Sequence, residues 1–229
     1  MQEKEIKMRV IAHAQTDFPT KFGVPRQSGR VDGITARIVF LPEYRHPDAI
    51  KGIEGYSHLW LLWHFSEAKV SDSFRPTVRP PRLGGNETEG VFATRSPFRP
   101  SPIGLSSVRL LGVERTKKEG NVLIVSGADL MDGTPILDIK PYLPFTDSHP
   151  DASGGFAAAY KDYALSVKCD AEKLALIPED KREALLAVLA EDPRPSYQND
   201  PDRIYGFPFA GREVRFVVCD GVLTVVEIE

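Results

Sequence analysis

Short runs rich in β-branched and aromatic residues, separated by glycine and proline, dominate the first two thirds of the chain. Runs of this kind are typical of strands rather than helices. Strands are predicted at residues 7–14, 34–41, 56–65, 106–115, 122–126 and 136–139. The run at 56–65 is the most apolar, which predicts a strand buried on both faces. With few helical periods among them, these runs predict an all-β barrel or sandwich for about the first 145 residues.

The pattern changes in the last third of the chain, where residues 148–163 are small, polar and glycine-containing. This composition predicts a linker. It divides the chain into a first domain at residues 1–147 and a second at residues 164–229.

The second domain combines one helix with one hairpin. Asp180 and Glu183 have the spacing of a capping box ahead of an apolar helical face, which predicts a helix that begins at Asp180. Two apolar runs flank the pair Asp220–Gly221, and this arrangement strongly predicts a hairpin. The fold class predicted for the chain is therefore mainly β, with a small α+β C-terminal domain.

Composition narrows the function classes. The formal net charge of −3 argues against a protein that coats nucleic acid with its whole surface. No apolar run approaches membrane-spanning length and the N-terminus has no signal-peptide pattern, so a cytoplasmic location and no membrane association are expected. Cys169 and Cys219 lie far apart and predict reduced thiols, and no bound metal is expected.

One proline-rich segment, residues 75–107, stands out and is called the arginine-rich loop. Its arginines are Arg75, Arg79, Arg82, Arg95 and Arg99. Proline favours extended backbone, residues 83–86 read as a glycine turn, and arginine forks match phosphate or carboxylate edges. The loop is thus a candidate anion site. A solvated surface loop is the alternative, although the apolar run 91–93 indicates that part of the loop is buried.

Two further turns are candidates, since nucleotide-binding glycine loops and hydrolase or metalloprotease motifs are absent from the sequence. The turn at residues 129–133 carries carboxylates that suit hydroxyls or an amine, and its alternative is a self-capped structural turn. The turn at 192–197 presents Arg194 and Tyr197 after a helix, and its alternative is a plain helix stop.

Long motifs in these same segments are similar to those of a known family. Residues 78–86, 90–100 and 102–106 resemble the signature of the TrmO family, also called YaeB or TsaA-like. Further matches occur at residues 56–60, 129–135, 138–142 and 192–197. The resemblance implies an S-adenosylmethionine-dependent tRNA methyltransferase with an antiparallel β-barrel catalytic domain. It also implies a homodimer with the cofactor near the subunit interface.

The resemblance further implies a substrate and a cofactor site. Family members methylate N6 of threonylcarbamoyl-adenosine immediately 3′ of the anticodon in tRNAs that read ACN codons, so the partner expected is the anticodon stem-loop of tRNA-Thr. Carried over by position, the residues that contact S-adenosylmethionine are Gln27, Ser28, Gly29, Ser66, Glu67, Arg95, Leu105, Asp129, Leu130, Met131 and Asp132. Asp129 or Asp132 is expected to stabilise the cofactor's positive charge.

The remaining motif residues are assigned to the tRNA. Arg79, Arg82 and Arg99 are hypothesised to bind phosphates or the threonyl carboxylate, and Arg194 and Tyr197 to form the substrate end with a stacking ring. Methyl transfer needs alignment rather than a protein nucleophile or a metal, and the sequence singles out no general base. The alternatives are a non-catalytic RNA-binding barrel and a methyltransferase of this fold with another substrate.

Overall fold

The computed structural model describes residues 5–68, 73–80, 87–194 and 200–229. The strands of this part are β1 (Ala12–Gln15), β2 (Thr35–Phe40), β3 (His58–His64), β4 (Thr77–Val78), β5 (Glu89–Gly90), β6 (Ile103–Thr116), β7 (Gly120–Ser126), β8 (Pro135–Pro141), β9 (Ser166–Lys168), β10 (Tyr205–Phe209), β11 (Arg212–Cys219) and β12 (Val222–Ile228). The α-helices are α1 (Pro144–Asp147), α2 (Ala171–Leu174) and α3 (Arg182–Ala190). The prediction of a mainly β chain is confirmed.

Six of the strands close into an antiparallel barrel in the order β1-β2-β7-β6-β3-β8. Alternate side chains fill its interior, as on β3, where Leu59, Leu61 and Trp63 are buried. The outward residues of β3 are only half-buried. The prediction that this strand is buried on both faces was therefore wrong, because an antiparallel barrel packs one face of each strand and leaves the other toward solvent.

The C-terminal strands form a second sheet in the order β10-β11-β12-β9, in which β9 is parallel to β12. Asp220 and Gly221 connect β11 to β12 with φ angles of 48° and 76°. Positive φ at both turn residues is the geometry that matches the twist of a hairpin. The hairpin prediction is confirmed.

The start of α3 differs from the prediction. The helix begins at Arg182 after a single 3₁₀ turn at Glu179–Lys181, and its N-cap residue, Lys181, makes no side-chain capping bond. The Nζ of Lys181 instead pairs with the carboxylate of Asp17, from the other end of the chain. The predicted capping box at Asp180 was wrong because Asp180 lies inside the 3₁₀ turn, and the N-cap position falls on Lys181, whose ammonium group cannot accept a bond from the backbone.

A loop between β1 and β2 joins the two parts of the molecule. Phe18, Val31 and Ile34 from this loop are buried in the same hydrophobic core as Leu185 and Phe207 of the C-terminal part. We call residues 18–31 the anchor loop. Because its two ends are packed into the C-terminal core, the residues between them are held in place from outside the barrel. No helix among the described residues is long and apolar enough to cross a membrane.

Candidate cofactor site

Three chain segments that are distant in sequence meet at one end of the barrel. The anchor loop contributes Gln27 and Gly29, the arginine-rich loop contributes Arg95, and the segment after β7 contributes Asp129. The Gly29 N–H donates to the carbonyl of Gly127 at 2.9 Å. The Arg95 Nη1 donates to the Oε1 of Gln27 at 2.5 Å. Backbone and side-chain hydrogen bonds thus tie the three segments together.

Asp129 is the centre of this arrangement and is half-buried. Its Oδ1 accepts a hydrogen bond of 2.5 Å from the Oγ of Ser106. Burial raises the pKa of this carboxyl, although the Ser106 hydroxyl, the backbone N–H groups of Asp129 and Ser28, and the charge of Arg95 act in the opposite direction. We call Gln27, Ser28, Gly29, Arg95 and Asp129 the Asp129 cluster.

The cluster presents one carboxylate and one guanidinium beside open backbone. Gly29 has a φ of +72° and no heavy atom within 4 Å of the place where a Cβ would stand. An exposed, left-handed glycine of this kind lets a ligand approach the main chain closely. The site can therefore hold a molecule that carries both a cation and an anionic or hydrogen-bonding end.

The turn after Asp129 is held by bonds from the end of β1. The Oδ1 of Asp132 accepts from the Thr16 N–H at 2.9 Å, and the Asp132 N–H donates to the carbonyl of Phe18 at 2.8 Å. The Leu130 side chain is buried in the barrel core, and Met131 is half-buried. This turn is stabilised both by distant backbone and by a local bond from the Thr134 Oγ1 to the Met131 carbonyl at 2.6 Å. Leu130 offers a ligand only its main chain.

Three other predicted cofactor residues have exposed side chains. Ser66 and Glu67 follow β3 with exposed side chains. Leu105 is 53% exposed and points outward from β6, whereas its neighbour Ser106 points inward to Asp129. The structure thus assembles five of the predicted residues as one cluster and leaves these three open to solvent.

Arg194 has a position that the sequence did not indicate. Only 8% of this residue is exposed, and its Nε and Nη2 donate to the two carboxylate oxygens of Asp192 at 2.8 and 3.0 Å. The hydroxyl of Tyr163 donates to the same carboxylate at 2.8 Å, and the Arg26 Nη2 donates to the carbonyl of Arg194 at 2.8 Å. Arg194 is therefore part of a buried ion pair beside the anchor loop.

The structure describes two of the remaining substrate candidates, Arg79 and Arg99. Arg79 is exposed just after β4. Arg99 is half-buried, and its Nη1 donates to the Thr94 carbonyl at 3.1 Å. Arg82, Tyr197 and the predicted glycine turn at 83–86 lie outside the described residues.

Sequence reasoning missed an exposed aromatic pair in the arginine-rich part of the surface. The rings of Phe74 and Phe92 stack with centroids 6.0 Å apart and an angle of 22°, and the residues are 59% and 72% exposed. In the apolar run that predicted burial, Val91 is buried but Phe92 is not. The signal available in the sequence was the neighbourhood of arginines, which suits a surface better than a core.

Comparisons with known proteins agree with the architecture. The model of the tRNA-methyltransferase O N-terminal domain matches residues 13–148, and that of the TrmO C-terminal domain matches residues 163–229. A tRNA (adenine(37)-N6)-methyltransferase of Escherichia coli K12 is 42% identical, with 94% of each chain covered. A Pseudomonas aeruginosa protein whose name proposes an S-adenosylmethionine-dependent methyltransferase is 41% identical, with 86% of this chain and 85% of that protein covered.

A solved structure supports the same assignment. The crystal structure of a TrmO protein superimposes with a TM-score of 0.79 at 31% identity, and covers 98% of this chain and 99% of that one. Both domain models, a relative that matches over most of its length, and a shared fold therefore agree. The chain belongs to the tRNA-methyltransferase O family.

Proposed function

We propose that this protein, an S-adenosylmethionine-dependent tRNA (adenine-N6)-methyltransferase of this family, methylates N6 of threonylcarbamoyl-adenosine immediately 3′ of the anticodon in tRNA-Thr. Relatives from Escherichia coli and Eikenella corrodens named tRNA (adenine(37)-N6)-methyltransferase support the reaction class. The observation that carries the proposal is the Asp129 cluster, because its charges match the cofactor. A cytoplasmic location, which a tRNA substrate suits, is part of this proposal.

The residues of the cluster fit S-adenosylmethionine. The Asp129 carboxylate would lie beside the sulfonium or amine, and its partial burial strengthens attraction to a cation. Arg95 is exposed and suits the cofactor carboxylate through N–H groups other than the one donated to Gln27. Open backbone at Gly29 leaves room for the nucleoside part. When bound, the cofactor supplies an electrophilic methyl group.

The protein's part in the reaction is alignment and exclusion of water. In an in-line displacement the N6–carbon bond forms while the carbon–sulfur bond breaks, and the N6 proton leaves to a base or to solvent. The anchor loop, with both ends packed into the C-terminal core, holds its side of the site rigid. We assign cofactor binding to the barrel at residues 1–147 and part of substrate binding to residues 164–229, with residues 148–163 between them.

We propose that the tRNA binds along the arginine-rich loop. Arg75 and Arg79 are exposed there beside the stacked rings of Phe74 and Phe92. Single-stranded RNA is bound where cationic groups take phosphates and aromatic faces take unstacked bases. The arrangement therefore suits an anticodon loop.

We also propose a homodimer. In it, the exposed outer face of β6 at Leu105 would contact the second copy. Light scattering in solution measures whether the protein is dimeric.

Phe92→Ala is expected to weaken tRNA binding about 5- to 150-fold, the range for loss of one base-stacking partner. The affinity for S-adenosylmethionine is expected to stay unchanged. Fluorescence anisotropy with a labelled anticodon stem-loop measures the effect. Phe145→Ala is the control, since Phe145 is 87% exposed on α1, outside the arginine-rich loop. Equal tRNA affinity of the two variants would contradict the proposed surface.

Nucleoside mass spectrometry tests the reaction itself. Purified protein is incubated with S-adenosylmethionine and tRNA-Thr that carries threonylcarbamoyl-adenosine, and the digested nucleosides are compared with a reaction that lacks protein. One added methyl mass on threonylcarbamoyl-adenosine is the expected result. Cofactor binding with no product would favour another substrate for this fold, and the absence of both would favour a non-catalytic RNA-binding barrel.

A further inference from the structure

We infer that Ser106 and Trp63 are positioning residues that hold the Asp129 carboxylate for the cofactor, an inference that rests on the function proposed above. The Nε1 of Trp63 donates to the Oγ of Ser106 at 2.9 Å, and this Oγ donates to the Oδ1 of Asp129 at 2.5 Å. Ser106 is 0% exposed, and Trp63 is buried in the barrel core. The chain of bonds runs from the barrel interior to the cluster at its end.

The direction of both bonds follows from the chemistry of the three groups. An indole N–H only donates, so Trp63 occupies an acceptor position on the Ser106 oxygen. A hydroxyl has a single proton, and among the residues that the structure describes the Ser106 hydroxyl donates it to Asp129. An ionised carboxylate only accepts, which suits that bond. The indole thereby fixes the hydroxyl rotor in the orientation that donates to Asp129.

Gly104 explains how the indole reaches this position. Trp63 and Gly104 are directly paired across β3 and β6. A Cβ added at Gly104 would stand 2.2 Å from the indole Cε2 and 2.4 Å from its Cζ2. Any side chain at this position would displace the ring. The glycine therefore lets the indole lie against the strand, with its N–H directed at Ser106 two residues further along β6.

The positioning has a chemical consequence for Asp129. The Ser106 bond commits one carboxylate oxygen and favours the ionised form against the burial that disfavours it. Arg95 is the charged group that acts on the same carboxyl in the same direction. Without the hydroxyl, Asp129 would keep its proton to a higher pH and would rotate more freely. Both changes weaken its attraction to a sulfonium or an amine.

The test uses matched pairs of variants on the same two strands. Ser106→Ala and Trp63→Phe remove one hydrogen bond each from the chain. Ser107→Ala and Trp60→Phe are the controls, because Trp60 and Ser107 are paired with each other on the outer face of β3 and β6. The measurements are calorimetric binding of S-adenosylmethionine as a function of pH, and the pH profile of kcat/KM for tRNA methylation.

Ser106→Ala is expected to lower cofactor affinity by about 10-fold at most, less than the worth of a hydrogen bond to a charged group because Ser106 acts through Asp129, and to move the acidic limb of both profiles to higher pH. Trp63→Phe is expected to act in the same direction with a smaller effect. Profiles that match those of the controls, with only the melting temperature lowered, would reduce both residues to a structural role. Binding of cofactor by the wild-type protein without methylation would refute the proposed function while the binding profiles still test this inference.

Discussion

Asp129→Asn is expected to lower the affinity for S-adenosylmethionine about 10- to 100-fold, the range for loss of a charged hydrogen-bond partner, and to remove most methyl transfer. Asparagine has nearly the same shape and still offers an oxygen to the Ser106 hydroxyl. The variant therefore removes the charge but not the contact. Because burial raises the pKa of Asp129 above its usual value, ionisation of this carboxyl lowers the stability of the folded protein as the pH rises through that pKa. The variant is thus expected to be at least as stable as the wild type.

The pH dependence of cofactor affinity follows from the raised pKa of Asp129. Affinity of the wild type for the cationic cofactor is expected to fall as the pH drops through the pKa of Asp129, which lies above the usual carboxyl range. Asp129→Asn is expected to remove this pH dependence. Titration calorimetry across the acidic range measures both effects. Asp138→Asn, on strand β8, is the control, and a variant at Asp129 that binds the cofactor like the wild type would refute the site.

The second large expected effect is a loss of folding stability. Asp192→Asn is expected to lower the free energy of unfolding by about 3 kcal/mol, because it removes one partner of a buried ion pair. Asp192 has a φ of 55°, which asparagine tolerates, so the backbone is not strained by the change. The carboxylate accepts from Arg194 and Tyr163, and the variant loses the charge that these bonds stabilise.

The loss of folding stability at acidic pH provides an independent test of this ion pair. Burial opposes ionisation of Asp192, but the bonds from Arg194 and Tyr163 outweigh it and hold the pKa below its usual range. The stability that the ionised group contributes is present above the unfolded pKa of about 3.9 and is lost as the pH falls through the lower folded pKa. Asp192→Asn is expected to lack this loss.

Urea unfolding measures the difference in stability. The control is Asp170→Asn, because the Asp170 carboxylate is 74% exposed in its pair with Lys173, and such surface pairs contribute about 1 kcal/mol or less. An Asp192 variant with wild-type stability but weakened tRNA binding would contradict a structural role for the pair. It would return Arg194 to the substrate surface that its motif indicated.

Local patterns in the sequence determined much of the fold. Alternating apolar residues located most barrel strands to within a few positions, and Asp220–Gly221 located the last hairpin, because such features depend on neighbours in sequence. The motifs determined the family, since they are long and lie in the right order. They also placed Asp129 in the cofactor site as a prediction. These conclusions needed no knowledge of which segments meet.

Only the tertiary structure decided what each side chain of the site contacts. Arg194 is buried, its partner Asp192 accepts from Tyr163, and its own carbonyl accepts from Arg26, whereas Phe92 is exposed. Ser106, which the sequence placed in a strand and at the end of a family motif without a role, joins Trp63 to Asp129. Barrel closure and the anchor loop bring together residues far apart along the chain. A bond between such residues depends on the path of the whole backbone, and no local pattern of residues encodes it.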